Sequence, residues 1–174
     1  MGSESLPVDI EPIGVVRVPL TDDEVRDSWI TGGVNGVVEV FPKYEEGLLG
    51  IEGFSHIILI TWLHKARPWH RAVLKVKPRR LSRFGVPLSE LPLIGVFCSD
   101  SPDRPNPIGL SIVRLVRRDG RYLHVSGLDL FDGTPVLDIK AYTPDRAIYD
   151  VRVPKWYLDV ERLAERYLGR RVSV

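Results

Sequence analysis

The sequence predicts a mainly β protein, a single antiparallel or mixed β-barrel domain with a C-terminal helix. Three observations lead there. Apolar runs are short, rich in β-branched residues and punctuated by Gly and Pro, which favours strands over helices. The chain has 174 residues and 44% hydrophobic content, the size of one domain with an adequate core. Helical periodicity is confined to the end of the chain.

Taken in order, strands are expected near residues 13–18, 36–40, 56–63, 72–76, 93–97, 110–117, 122–126 and 136–141. Roughly eight short strands suit a barrel or sandwich. Arg118-Asp119-Gly120-Arg121 links two of them, and Asp-Gly readily supplies the positive φ of a tight hairpin, so those two strands should be antiparallel neighbours. After Pro154, apolar Trp156, Val160, Leu163 and Tyr167 recur at spacings of three and four, and Gly169 follows, which predicts a helix with Pro at its start and Gly just past its end. Its Trp156 face should pack on the barrel or on a second subunit. The plan is an N-terminal tail at 1–10, a barrel domain at 11–153, and a helix with a tail at 154–174. Neither an internal repeat nor a low-complexity linker divides it.

Several function classes are excluded at this level. The longest apolar run, 57–63, has the length of a buried strand and is far short of a membrane span. The start, Met-Gly-Ser-Glu-Ser, lacks the basic and apolar parts of a signal peptide, and a lone Cys98 has no internal disulfide partner, so a cytoplasmic setting is expected. Cys98 reads as a small core residue, and His56 and His124 as satisfied strand histidines. No G-x-G-x-x-G or P-loop occurs. His56, His64, His70 and His124 lack metal-ligand spacing, so no metal is expected, and Ser101 and Ser111 lack a nucleophile elbow.

Charge is distributed unevenly. Residues 64–83 hold eight basic side chains (Lys65, Arg67, Arg71, Lys75, Lys77, Arg79, Arg80 and Arg83) and no acidic one. The remainder of the chain has 16 basic against 23 acidic residues, so a protein of net charge +1 carries a local field that attracts polyanions. Trp69 and Phe84 within this stretch are candidate stacking surfaces.

Ser101-Pro-Asp-Arg-Pro-Asn-Pro-Ile-Gly109 is the most constrained segment. Its three prolines fix three φ angles and remove three backbone donors, so the turn is stiff before anything binds. Asn106 and the fork of Arg104 then join a small set of polar groups, and Gly109 lets the next strand approach closely.

The series Ile94-Gly-Val-Phe97, the Pro-rich turn through Ser111, and Asp129-Leu-Phe-Asp-Gly-Thr-Pro-Val-Leu-Asp-Ile-Lys140 resembles the TsaA-like family, also called YaeB or TrmO. Pro12-Ile-Gly-Val-Val-Arg17, Gly50-Ile-Glu-Gly-Phe-Ser-His56 and Val153-Pro-Lys-Trp156 extend the match in the family's order over most of residues 11–160. The resemblance implies a TsaA-like β-barrel, a homodimer, that binds S-adenosylmethionine and methylates the exocyclic amine of threonylcarbamoyladenosine beside the tRNA anticodon. By motif, the cofactor contacts fall on Asp129, Leu130, Phe131 and Asp132, on Leu110, on His64 and Lys65, and on Val25, Arg26 and Asp27. Where members commonly have Thr-Arg, this chain reads Ser99-Asp100, which places an anion at a cofactor or RNA contact. Phosphate contacts are expected from Lys75, Lys77, Arg79, Arg80 and Arg83, with Arg104 and Asn106 beside them. A sulfonium donor favours carboxylates and aromatic faces, which Asp129, Phe131 and Asp132 supply. No catalytic base is assigned. A different methyl acceptor, or a binding module without turnover, are the alternative readings.

Overall fold

The computed structural model describes residues 8–171, so the outermost parts of both expected tails lie outside the described residues. Eight strands are formed: β1 (Gly14–Arg17), β2 (Val34–Val40), β3 (His56–Trp62), β4 (Lys75–Val76), β5 (Ile94–Gly95), β6 (Ile108–Asp119), β7 (Tyr122–Leu128) and β8 (Pro135–Ala141). Six of them close an antiparallel barrel in the order β1-β2-β7-β6-β3-β8. Period-two alternation drives this closure. Val16, Val38, Val40, Ile57, Leu59, Val113, Leu115, Leu123, Val125 and Val136 all turn inward and form one core. The Asp119–Tyr122 hairpin closes through Gly120, whose φ of 56° is unstrained only for glycine.

The two strands expected at 72–76 and 93–97 are much shorter than their composition suggests. They shrink to the pair β4-β5, because Pro68 starts a 3-10 turn, Pro68–Ala72, and Pro78 caps another, Arg79–Phe84. A further 3-10 turn, Val96–Cys98, ends β5 and leaves Cys98 exposed rather than in a core.

Two helices complete the fold. The first, α1 (Asp22–Ser28), arises from Thr21-Asp-Asp-Glu24: the Thr21 hydroxyl accepts from the Glu24 amide while the Glu24 carboxylate accepts from the Thr21 amide, a reciprocal cap. The Thr21 hydroxyl, which also donates to the Glu24 carboxylate at 2.7 Å, and then the Thr21 amide hold the Glu24 carboxyl below the usual range. The second, α2 (Lys155–Leu168), ends at Gly169 with φ 67°, as its spacing predicts. Its apolar face covers Leu81, Val86 and Leu91, with Trp29 and Trp156 at the edge, so it packs on the segment between β4 and β5 in a second small core. Tyr167 falls outside the buried stripe and donates its hydroxyl to Glu90 instead.

Candidate functional site

Antiparallel pairing places the ends of β1, β3 and β7 and the starts of β2, β6 and β8 on one rim of the barrel. Helix α1 follows β1 at that rim. The turn after β7, containing Asp129 to Thr134, is pinned there by backbone: the Val18 amide donates to Asp132 Oδ1 at 2.9 Å, the Gly133 amide to the Val16 carbonyl at 2.9 Å, and the Thr134 hydroxyl to the Phe131 carbonyl at 2.7 Å.

Phe131 is the centre of a charged cluster on this rim. The Arg26 guanidinium lies 4.6 Å and the Lys65 ammonium 5.0 Å from its ring centroid. Lys65 Nζ also bonds both oxygens of Asp22, at 2.5 and 2.7 Å. His64 sits among these charges; partial burial, then Lys65, holds its imidazole below the ordinary histidine range, while Asp22 and Asp132 act the other way. The ring face thus already accepts cations, and carboxylates stand around it.

A second group begins at Asp129. Its Oδ1 accepts the Ser111 hydroxyl at 3.0 Å from inside the barrel, and its Oδ2 lies 3.5 Å from Arg80. Arg80 in turn lies 5.1 Å from the centroid of Trp29, the residue that ends α1. Asp129 also lines a cleft of about 890 Å³ bounded by Trp29, Phe97, Asp100, Arg80 and Trp156.

The Pro-rich turn is rigid, but its cation is turned inward. Arg104 donates to the carbonyls of Ser101, Val96 and Ser99, so it staples its own loop rather than facing an RNA. Asp103 pairs with His70 Nδ1 at 2.5 Å; Arg71 donates to the Pro105 carbonyl at 2.8 Å and to Asn106 Oδ1 at 3.4 Å. The segment after β3 therefore clamps the turn. Gly109 is required there, because a Cβ would come within 2.7 Å of Thr61 Oγ1 and 2.9 Å of Leu63 Cδ2.

The expected cofactor residues fall into different places. Arg26, His64, Lys65, Phe131 and Asp132 come together in the ring cluster. Val25 and Leu130 are buried in the barrel core, so their side chains pack rather than bind. Asp27 faces away and pairs with Arg83 at 2.9 Å. Asp100 and Asp129 line the cleft. Leu110 is 62% exposed on the outer face of β6, opposite Ser111, which turns inward to Asp129.

The basic segment is only partly free. Arg83 is held by Asp27 and Asp23, Lys77 donates to the Leu88 carbonyl, and Arg80 is shared between Asp129 and Trp29. Lys75 and Arg79 are exposed. Trp69 is 64% exposed, with Arg67 5.4 Å from its ring centroid, whereas Phe84 lies half-buried 6.0 Å from Trp29. Asp22 and Trp29 join these arrangements without having been singled out from sequence, and Ser111 and Phe97, there only motif ends, gain contacts the sequence did not assign them. The capping signature at Thr21 to Glu24 is the one signal that could have exposed Asp22.

Comparison with known proteins supports one family. Residues 21–147 match the family described as tRNA-methyltransferase O N-terminal domain. A probable S-adenosyl-L-methionine-binding protein of Pyrococcus abyssi is 42% identical over 143 residues, 81% of this chain and 70% of that protein. A tRNA (adenine(37)-N6)-methyltransferase of Mus musculus is 40% identical over 106 residues, covering 61% of this chain and 22% of its own length. The crystal structure of TrmO from Pseudomonas aeruginosa superposes with a TM-score of 0.62 at 31% identity; the match covers 84% of this chain and spans only 62% of the solved one. With nearly three quarters of its length matched and the barrel shared, the chain belongs to the tRNA-methyltransferase O N-terminal domain family.

Proposed function

We propose that this chain is an S-adenosylmethionine-dependent methyltransferase acting on the exocyclic amine of threonylcarbamoyladenosine next to the tRNA anticodon. The observation that carries the reading is the rim cluster, in which one aromatic ring lies against two cations with Asp22 and Asp132 beside it. Such a donor set fits a zwitterionic sulfonium cofactor: ring and carboxylates suit its cationic parts, and Arg26 and Lys65 suit its carboxylate. S-adenosylmethionine, when bound, supplies an electrophilic methyl group.

The protein's part is alignment. Orientation alone contributes several kcal/mol or more to a displacement of this type. Asp129, fixed by Ser111 and Arg80, gives the rim a set carboxylate position, and the clamped Pro-rich turn keeps the start of β6 from shifting. The acceptor's proton passes to a carboxylate or to water, without a strong dedicated base. Names of relatives support both cofactor and acceptor: S-adenosyl-L-methionine binding for the Pyrococcus protein, tRNA adenine methylation for the mouse protein.

The homodimer is part of the same proposal. Ile108, Leu110 and Ile112 expose an apolar patch on the outer face of β6, with the exposed Arg114 between it and Val116, a surface that a second copy would cover. Incubation with labelled S-adenosylmethionine and total tRNA is expected to give labelled tRNA; no incorporation with either threonylcarbamoylated or unmodified tRNA sinks the reading. The anion Asp100 at the cleft favours, as a second reading, a methyl acceptor other than threonylcarbamoyladenosine, which identification of the labelled nucleoside decides.

A further inference from the structure

Residues 64–83 hold no acidic side chain, and several of their cations are spent within the fold: Lys65 on Asp22, Arg80 on Asp129, and Arg83 on Asp23 and Asp27. Among the described residues, Arg67 and Lys75 meet no carboxylate. Arg67 instead lies 5.4 Å from the ring centroid of Trp69, which is 64% exposed and belongs to neither hydrophobic cluster. An indole kept out of both cores, with an unpaired guanidinium against it, stabilises little in the free protein and is chemically suited to a planar anionic ligand. We propose that Trp69 and Arg67 form a stacking platform for an unpaired nucleotide that flanks the target adenosine in the anticodon loop, the indole taking its base and the guanidinium its phosphate. The inference rests on the tRNA methyltransferase reading above and adds to it a specificity surface outside the donor site.

Three features support it. The platform is rigid before anything binds: Pro68 opens the 3-10 turn, the His70 amide donates to the Arg67 carbonyl at 2.9 Å, and the Val73 amide to the His70 carbonyl at 3.0 Å. The His70 ring, edge-on to Trp69, lies 2.5 Å from Asp103 through Nδ1, and Arg71 donates to the Pro105 carbonyl, so little side-chain order remains to be lost on binding. Its placement is the second feature. Both braces end on the Pro-rich turn, whose residues Ser101 to Arg104 line the cleft that also holds Asp100 and Asp129, whereas Trp69 lies outside that lining. A base on Trp69 is therefore held at a fixed offset from the expected donor contacts, as a neighbour of the reacting nucleotide would be. Charge is the third. Arg67 and Lys75 are left unpaired, and Asp103 is engaged by His70, so the surface offers cations and a ring face together. Single-stranded RNA matches that pair, because its bases are free to stack while a duplex hides theirs.

The test is a cycle between protein and RNA. Binding of an anticodon stem-loop carrying threonylcarbamoyladenosine would be measured by fluorescence anisotropy, alongside versions made abasic at the target or at either neighbouring position. Trp69→Ala should weaken binding of the intact stem-loop roughly tenfold and Trp69→Phe by less than about threefold, with S-adenosylhomocysteine affinity within about twofold in both. Removing one flanking base should cost the unaltered protein a similar factor and cost Trp69→Ala little further, while removal of the target base costs both proteins alike. Arg67→Gln should lower the slope of log affinity against log salt by about 0.7, the loss of one phosphate contact on a single strand. Unchanged RNA affinity in Trp69→Ala, or losses that add at both flanking positions, overturns the platform. A parallel loss of S-adenosylhomocysteine affinity would make Trp69 part of the donor site, and a sedimentation coefficient altered by Trp69→Ala would make it a protein contact; each overturns the proposal. If the unaltered protein binds S-adenosylhomocysteine but no stem-loop, the tRNA reading itself fails, and this inference with it.

Discussion

Phe131 illustrates how little of a proposed binding residue's character lies in its own chemistry. Its ring is set by a turn that hydrogen-bonds back to β1, and its electrostatic environment comes from Arg26 and Lys65, 105 and 66 residues away in sequence. Phe131→Leu keeps the apolar volume and removes the quadrupole, so S-adenosylhomocysteine affinity measured calorimetrically is expected to fall roughly tenfold, with the thermal midpoint little changed. His64 offers a pH test. Burial and Lys65 depress its folded-state value below the ordinary 6.5, so the folded chain favours the neutral ring. The associated stability is present above about pH 6.5 and is lost as pH falls through the depressed value. His64→Asn should flatten the stability–pH profile in that window, followed by urea midpoints between pH 7.5 and 5. An unchanged slope would mean that the His64 environment does not couple to folding. At this scale the sequence conveyed residue identity but not direction: Arg104 and Leu110 both lie in the conspicuous Pro-rich region, and one turns into its own loop while the other points off the barrel.

At the scale of elements, α1 is the least anticipated part and the most connected. It contributes Arg26 to the ring cluster, Asp22 to Lys65 and Asp27 to Arg83, while Val25 anchors it in the core. With one buried apolar residue in seven it has no readable hydrophobic period, and its cap is the only local instruction for a helix. Thr21→Ala should cost about 1 kcal/mol of stability in urea unfolding and weaken cofactor binding as well. A stability loss with unchanged cofactor affinity would mean that α1 is only scaffolding. The barrel strands, by contrast, are legible either from alternation, as in β6, where Ser111, Val113 and Leu115 turn inward, or, in β3, from a continuous apolar run. Residues 68–98 are not: their β-branched composition suggests strands, but Pro68, Pro78 and Pro87 deny the chain the donors a ladder needs, and 3-10 turns result. Misplacing that segment also misplaced Cys98, an expected core residue that stands exposed at the cleft.

For the whole molecule, the outer face of β6 matters because it leaves Ile108, Leu110 and Ile112 exposed to water. Ile112→Glu places a charge in this patch; if the proposed homodimer forms through it, sedimentation velocity at micromolar concentration is expected to show a dimer for the unaltered protein and a monomer for the variant, with the circular dichroism spectrum unchanged. Identical sedimentation of the two would move any self-association elsewhere. The barrel has its own hydrophobic cluster, and the residues beneath α2 form another. Two cores of such unequal size need not melt together. Amide protons of the closed strands should exchange with deuterium only on global unfolding, whereas those of α2 and the Arg79–Phe84 turn should exchange through a smaller opening of lower free energy. One wall of the cleft would then breathe on a timescale of its own while the closed barrel and its rim stay fixed.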